Sequence, residues 1–146
     1  MPLEIRELTG DREIGAAFPL MRELRDRLRE ETFVSEIRRQ QEDGYRLFGG
    51  FEEGRLVTLA GARRTHTLSR GEHFFVDDLV TAEDSRGKGY GGQILRWLAR
   101  RSEGEGLPRI YLDSRITAKG FYEKVGFHFH TSIPSWADVG DLLKLP

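Results

Sequence analysis

Between an apolar run, Phe74 to Thr81, and a helical pattern that begins near Gly89, the chain carries Arg86-Gly87-Lys88-Gly89-Tyr90-Gly91-Gly92. A strand that passes into a helix through glycines leaves few architectures open. Glycine has no Cβ, so the backbone can come close to a ligand and adopt left-handed conformations. The first amides of the following helix have no intrahelical acceptor and point forward. With the helix dipole they make an anion cradle worth roughly 0.3–1 kcal/mol per favourable charge, or ~2 when partly buried. Arg86 and Lys88 add screened positive charge at its rim. The pattern predicts a βα unit that receives a phosphorylated ligand.

Gly87, Gly89 and Gly92 formally satisfy G-x-G-x-x-G, and Asp113 lies about as far downstream as the ribose acid of a dinucleotide site would. Two features weigh against that reading. Ala82-Glu83-Asp84-Ser85 separates strand from glycines, and too few elements follow Gly92 to build the second half of a doubly wound sheet. A phosphate loop of the Walker type is excluded, since no Gly-Lys pair is followed by Ser or Thr at the required spacing.

The 146 residues suit one domain with a real core, residues 1–146. Charged residues make up 32% of the chain yet leave a net charge of −1, so no global basic field recruits nucleic acid. The absence of cysteine excludes a disulfide framework, a thiolate metal site and a cysteine nucleophile. Met1 to Arg6 lacks a signal-peptide apolar run, and no stretch of about 18 apolar residues suggests a membrane span. The expectation is a cytoplasmic protein without membrane or nucleic-acid partners.

Leu3 to Leu8 alternates apolar and polar as a half-buried strand does, and Thr9 or Asp11 can cap a helix after it. Leu20, Leu24 and Leu28, with Phe18 and Met21, form an apolar stripe that Pro19 should start or kink. A short second helix is expected from Thr32, ending before Asp43-Gly44. Tyr45 to Phe51 and Leu56 to Thr67 read as a hairpin around Glu52-Glu53-Gly54-Arg55, followed by a central strand, His73 to Thr81. After the glycine loop come a helix carrying Ile94, Leu95, Trp97 and Leu98, a strand from Arg109 to Asp113, and a short helix from Thr117 to Lys124. Phe127 to Ser132 and Asp141 to Leu145 read as two last strands.

Two motifs then carry a family resemblance over nearly the whole chain. Arg86-Gly87-Lys88-Gly89-Tyr90-Gly91 matches the Q/R-x-x-G-x-G/A loop of the GNAT (GCN5-related) N-acetyltransferases, and Phe121-Tyr122-Glu123-Lys124-Val125-Gly126-Phe127 resembles their F-Y-x-x-x-G-F segment. The resemblance implies an α/β fold of the GNAT kind: one domain with a mostly antiparallel mixed sheet, splayed strands and flanking helices. It implies acetyl-CoA as acetyl donor, its pyrophosphate held by Arg86 to Gly91. Its pantetheine arm would be received by main-chain groups of Leu79, Val80 and Thr81, where a bulge leaves backbone groups unpaired. The acceptor implied is a small-molecule or peptide amine. Homodimers are common in the resembling family and remain an alternative for this chain.

Transfer to a lysine-like amine, with a pKa near 10.4, requires a neutral nucleophile at a cost of about 4–5 kcal/mol at pH 7, so a base or water relay is useful. Asp77 and Asp78 precede the pantetheine stretch, where related polyamine acetyltransferases carry an acidic pair. Strand alternation should send their side chains to opposite faces, at most one toward the acetyl group and the other toward a partner such as Arg63 or Arg64. Two structural ion pairs are the competing reading. Matched onto the family motif, Tyr122 protonates the departing thiolate. Phe121 and Val125, four apart, should face the core together and turn Tyr122 by about 100° to another side. At ordinary values, transfer from tyrosine to a thiolate is uphill by roughly 2 kcal/mol, so hydrogen-bond stabilisation is the least it does. Ser114 can touch the cofactor arm or cap the next helix. His66, His73, His128 and His130 show no metal-ligand spacing, and Tyr45, Phe129 and Trp136 are core or acceptor-pocket aromatics. Against an enzyme stands a non-catalytic acyl-CoA-binding or sensing module on the same scaffold, which needs the glycine loop and bulge but neither Tyr122 nor the acids.

Overall fold

Alternation at the amino terminus becomes β1, Glu4–Glu7, in the computed structural model, which describes residues 2–146. Two short helices follow, α1 (Asp11–Ala16) and α2 (Phe18–Leu24). Pro19 sits in the first turn of α2, where its missing N–H is not needed, so it starts a helix instead of kinking one. α3 (Glu30–Gln41) begins two residues before Thr32. Its first turn carries Glu30 and Glu31, which complement the positive end of the helix dipole.

β2 (Tyr45–Glu52) and β3 (Arg55–Thr67) form the expected hairpin. Its loop is Glu53-Gly54, both with positive φ (49° and 81°), the mirror-image turn whose twist matches two strands. β4 (Gly71–Thr81) pairs with β3, and a 3-10 turn at Glu83–Ser85 leads to α4 (Tyr90–Gly104). β5 (Ile110–Leu112) returns parallel to β4. Among the described residues these strands make one mixed sheet in the order β1-β2-β3-β4-β5, antiparallel up to β4.

Each face of the sheet is covered. Leu8, Ile14, Phe18, Met21, Phe33 and Ile37 cluster with Tyr45, Leu47, Leu59 and Val80 on one side. On the other, α4 buries Ile94 and Leu98 and sets Trp97 against Phe48 at 5.2 Å between ring centroids. Burial of such side chains contributes about 1.5–3 kcal/mol each.

By its internal contacts the chain divides after Leu112 into two compact units, and Asp113–Pro146 is the second. It contains a 3-10 turn at Ile116–Ala118, α5 (Lys119–Val125) and α6 (Val139–Leu142). The two strands expected here are absent among the described residues. Alternation makes a strand only where a partner closes the ladder, and Phe127 to Ser132 has none. In place of the second, the amides of Asp141 and Leu142 both donate to the carbonyl of Asp138, closing a helical turn. Phe121 and Val125, expected in a core, are exposed, as are Ile133, Trp136 and Leu143, for so short a segment buries little of its own surface. No helix among the described residues is long and apolar enough to cross a membrane.

Candidate active site

Gly87 and Gly89 both take φ 81°, the left-handed region that costs other residues strain, and a Cβ at either would meet nothing within 4 Å. The first bond of α4 runs from Gln93 N to Gly89 O at 3.1 Å, and no side chain caps the helix. The amides of Tyr90, Gly91 and Gly92 are therefore left without intrahelical acceptors behind an open glycine backbone. That donor set fits a diphosphate. Arg86 Nε donates to the carbonyl of Thr81 at 3.2 Å, tying the loop to the end of β4, and Lys88 Nζ stands 5.9 Å from the Tyr90 ring.

The β2–β3 turn grips this loop from both ends. The buried Tyr90 donates its hydroxyl to Glu52 at 2.5 Å, and Arg55 Nη2 donates to both oxygens of Asp84. The bond to Glu52 raises the Tyr90 pKa, and Arg55 with Ser85 holds that of Asp84 down. Sequence reading missed this arrangement. Its only trace was that Glu52 and Arg55 flank a two-residue turn.

The bulge lies two residues before the stretch assigned to pantetheine. Gly61 pairs with Asp78 while Ala62 pairs with Val76, so Asp77 is the extra residue of β4. The parallel ladder to β5 ends at Val76 opposite Leu112. From Asp77 to Thr81 that edge of β4 has no strand partner in the described sheet.

The bulge also corrects the expectation that Asp77 and Asp78 face opposite ways. Asp77 receives Arg63 through Nε at 2.6 Å and Nη2 at 3.0 Å, and Arg63 shares a face with its ladder partner Tyr45. Asp78 receives the Tyr45 hydroxyl at 2.8 Å on one oxygen and Arg25 Nε at 2.9 Å on the other. An extra residue cancels one step of alternation, and both carboxylates reach the same face. Tyr45 is core, 1% exposed. Burial, then the charge of Asp78, pushes its hydroxyl pKa well above the ordinary value.

Tyr122 and Ser114 belong to the second unit. Tyr122 is flanked edge-on by Phe121 at 5.1 Å and Phe127 at 5.5 Å between centroids. Gly126 takes φ 107° and closes α5: its amide donates to Glu123 O, that of Phe127 to Tyr122 O. This is the Schellman closure with its apolar contact, which explains why Gly-Phe follows Tyr122 at this spacing. Burial raises the Tyr122 pKa against the opposing pull of Arg115. Ser114 caps no helix. Its hydroxyl donates to Arg115 O at 2.8 Å, and Arg115 occupies the capping position.

His73 is buried, its Nδ1 2.8 Å from Gly71 O and its ring edge-on to Tyr111, while His128 and His130 are exposed. Among the described residues, no three or more His, Asp or Glu side chains gather as a metal site requires.

A family model described as "Acetyltransferase (GNAT) family" matches residues 12–127. The chain is 32% identical over 130 residues to an uncharacterized N-acetyltransferase, YhdJ, of Bacillus subtilis (strain 168), covering 86% of this chain and 92% of that one. It is 28% identical over 99 residues to the glucosamine 6-phosphate N-acetyltransferase of Trypanosoma brucei brucei, covering 66% and 67%. In fold it resembles an aminoglycoside N-acetyltransferase, AAC(6')-Iy, solved with CoA, at a TM-score of 0.79 and 15% identity over 94% of this chain and 95% of that one.

Proposed function

The chain belongs to the GNAT acetyltransferase family, and from that premise we propose that it transfers the acetyl group of acetyl-CoA to a primary amine by direct attack in a ternary complex. The observation that carries the reading is the set of free α4 amides behind two left-handed glycines, beside the open edge of β4. In this reading Arg86, Gly87, Lys88, Gly89, Tyr90 and Gly91 hold the pyrophosphate. Main-chain groups of Leu79, Val80 and Thr81 take the pantetheine arm, and Ser114 is assigned a cofactor-binding role with them. Bound there, acetyl-CoA supplies an acetyl thioester open to attack by an amine.

The acceptor must give up a proton, and its nitrogen then forms the C–N bond as the C–S bond breaks. Asp77 and Asp78 already accept from arginine or tyrosine donors, so their oxygens are engaged within the fold. We assign them to holding a cationic amine, with water taking the proton. Tyr122 stabilises the leaving thiolate by donating its hydroxyl, and its raised pKa favours donation without full transfer. The relative of 28% identity supports amino sugar phosphates as the first acceptors to try. Residues 1–146 act in this reading as one cytoplasmic acetyltransferase domain.

Calorimetric titration with acetyl-CoA and NADH, followed by thiol-release assays against amino sugar phosphates, aminoglycosides, polyamines and peptides, tests the proposal. Acetyl-CoA binds, and Tyr122→Phe loses about 100-fold or more in turnover. Acetyl-CoA binding without turnover on any amine would make this a binding module, and NADH binding alone would refute the cofactor assignment.

A further inference from the structure

We propose that Tyr45 and Arg25 are positioning residues for acetyl transfer: they fix the β4 bulge, and with it the open strand edge that follows. The inference rests on the function proposed above. Tyr45 opens β2, two strands away from β4, and reaches Asp78 only by lying across Gly61 of β3. A Cβ built on Gly61 would overlap the Tyr45 hydroxyl and Cζ and lie 2.7 Å from Cε2. Gly61 is also the ladder partner of Asp78, the last matched pair before the register slips. The ring, the missing side chain and the carboxylate therefore form one fitted unit across three strands.

Arg25 closes the unit from the helical side. It stands at the carboxyl end of α2, and its Nη2 donates to the main-chain carbonyl of Asp77 at 2.8 Å while its Nε holds Asp78. A bulge takes its extra residue out of the ladder, and the carbonyl so released needs another donor. Arg25 is that donor. Both oxygens of Asp78 and the carbonyl of Asp77 are thus held by two side chains, one from the sheet and one from a helix end. Leu79, Val80 and Thr81 continue directly from this anchor. The raised Tyr45 pKa keeps its hydroxyl a donor throughout the working pH range.

The test uses Tyr45→Phe, Arg25→Gln and Arg25→Lys in the full chain, with acetyl-CoA and the best amine found. Misplacing reacting groups by about 1 Å costs up to ~100-fold, so kcat falls about 10- to 100-fold in Tyr45→Phe and Arg25→Gln. The KM for acetyl-CoA stays within about threefold, because the glycine loop is untouched. Arg25→Lys, which keeps a cationic donor, recovers part of the loss. Hydrogen exchange of the Leu79–Thr81 amides speeds up in the two damaging variants. Wild-type kcat in both, or a proportional rise in KM with kcat unchanged, overturns the proposal. Should Tyr45→Phe fail to fold, Arg25→Gln, at a half-exposed side chain, decides alone. If the wild type turns over no amine, the proposed function fails separately, and unchanged exchange at Leu79–Thr81 then overturns the anchoring role as well.

Discussion

Gly61→Ala adds one methyl group and removes nothing, yet it strikes the most tightly fitted place in the sheet. The new Cβ would occupy the space of the Tyr45 hydroxyl, and Tyr45 is 1% exposed, so the ring has nowhere to retreat without disturbing the core. Overpacking of this kind costs about 1–3 kcal/mol. Displacing the ring also breaks the hydroxyl bond to Asp78, and a hydrogen bond to a charged group contributes roughly 1.5–3 kcal/mol. The sum is roughly 2.5–6 kcal/mol, or about 10–20 °C in Tm for a chain of this size. Thermal and urea unfolding followed by circular dichroism measure it. Gly10→Ala is the matched control, since its Cβ meets nothing within 4 Å and its φ of −86° suits any residue. In a Tyr45→Ala background the Gly61→Ala change should become nearly neutral, because the clashing ring is gone. A Gly61→Ala protein that melts within a degree or two of wild type would refute the fitted-unit argument.

Gly15→Ala should stabilise by about 0.5–1 kcal/mol, measurable by urea titration, because Gly15 lies inside α1 and its Cβ would make only an ordinary 3.6 Å contact with Val34. Gly89→Ala imposes left-handed strain of about 1–2 kcal/mol at the mouth of the cradle. Acetyl-CoA affinity by calorimetry should fall about tenfold. Tyr45 binds its proton more tightly folded than unfolded, so its contribution to stability is complete below pH ~10 and is lost as pH rises above that. In an alkaline titration followed by tyrosinate absorbance, Tyr45 should ionise only with unfolding; ionisation of all four tyrosines at ordinary values in the folded protein would contradict its burial.

Local chemistry was the legible part of this chain. Pro19, Glu53-Gly54, the glycines of 87 to 92 and Gly126 each act within a few residues, through a missing N–H or a positive φ, and each stands where the sequence placed a start, turn or stop. Whatever depends on a distant partner was not legible. Alternation in Phe127 to Ser132 states a preference, but no ladder takes it up. Periodicity cannot register an extra residue, so the bulge was placed at Leu79 to Thr81 when it lies at Asp77, and the two acids were sent to opposite faces. A partner at Arg63 or Arg64 for one of the two acids was anticipated, and it is Arg63 that takes Asp77. The reach of Tyr45 across Gly61 was not, since nothing in either residue's neighbourhood announces it.

The slip at Asp77 makes β4 two half-strands read in opposite phase. Phe74 and Val76 precede it, Asp78 and Val80 follow, and all four are even-numbered, yet the first pair lies opposite Arg64 and Ala62 and the second opposite Gly61 and Leu59. Removing Asp77 would restore a regular ladder: Val76 would still lie opposite Ala62 and Asp78 opposite Gly61, and what would be lost is one carboxylate and the carbonyl that the slip sets free. Substitution can tune the two acids one at a time, whereas deletion of this one residue removes the slip, and the carbonyl it frees, in a single event. Any relative that builds its site on the same slip is therefore bound to the same residue count here, and variation in length has to fall in the surrounding loops.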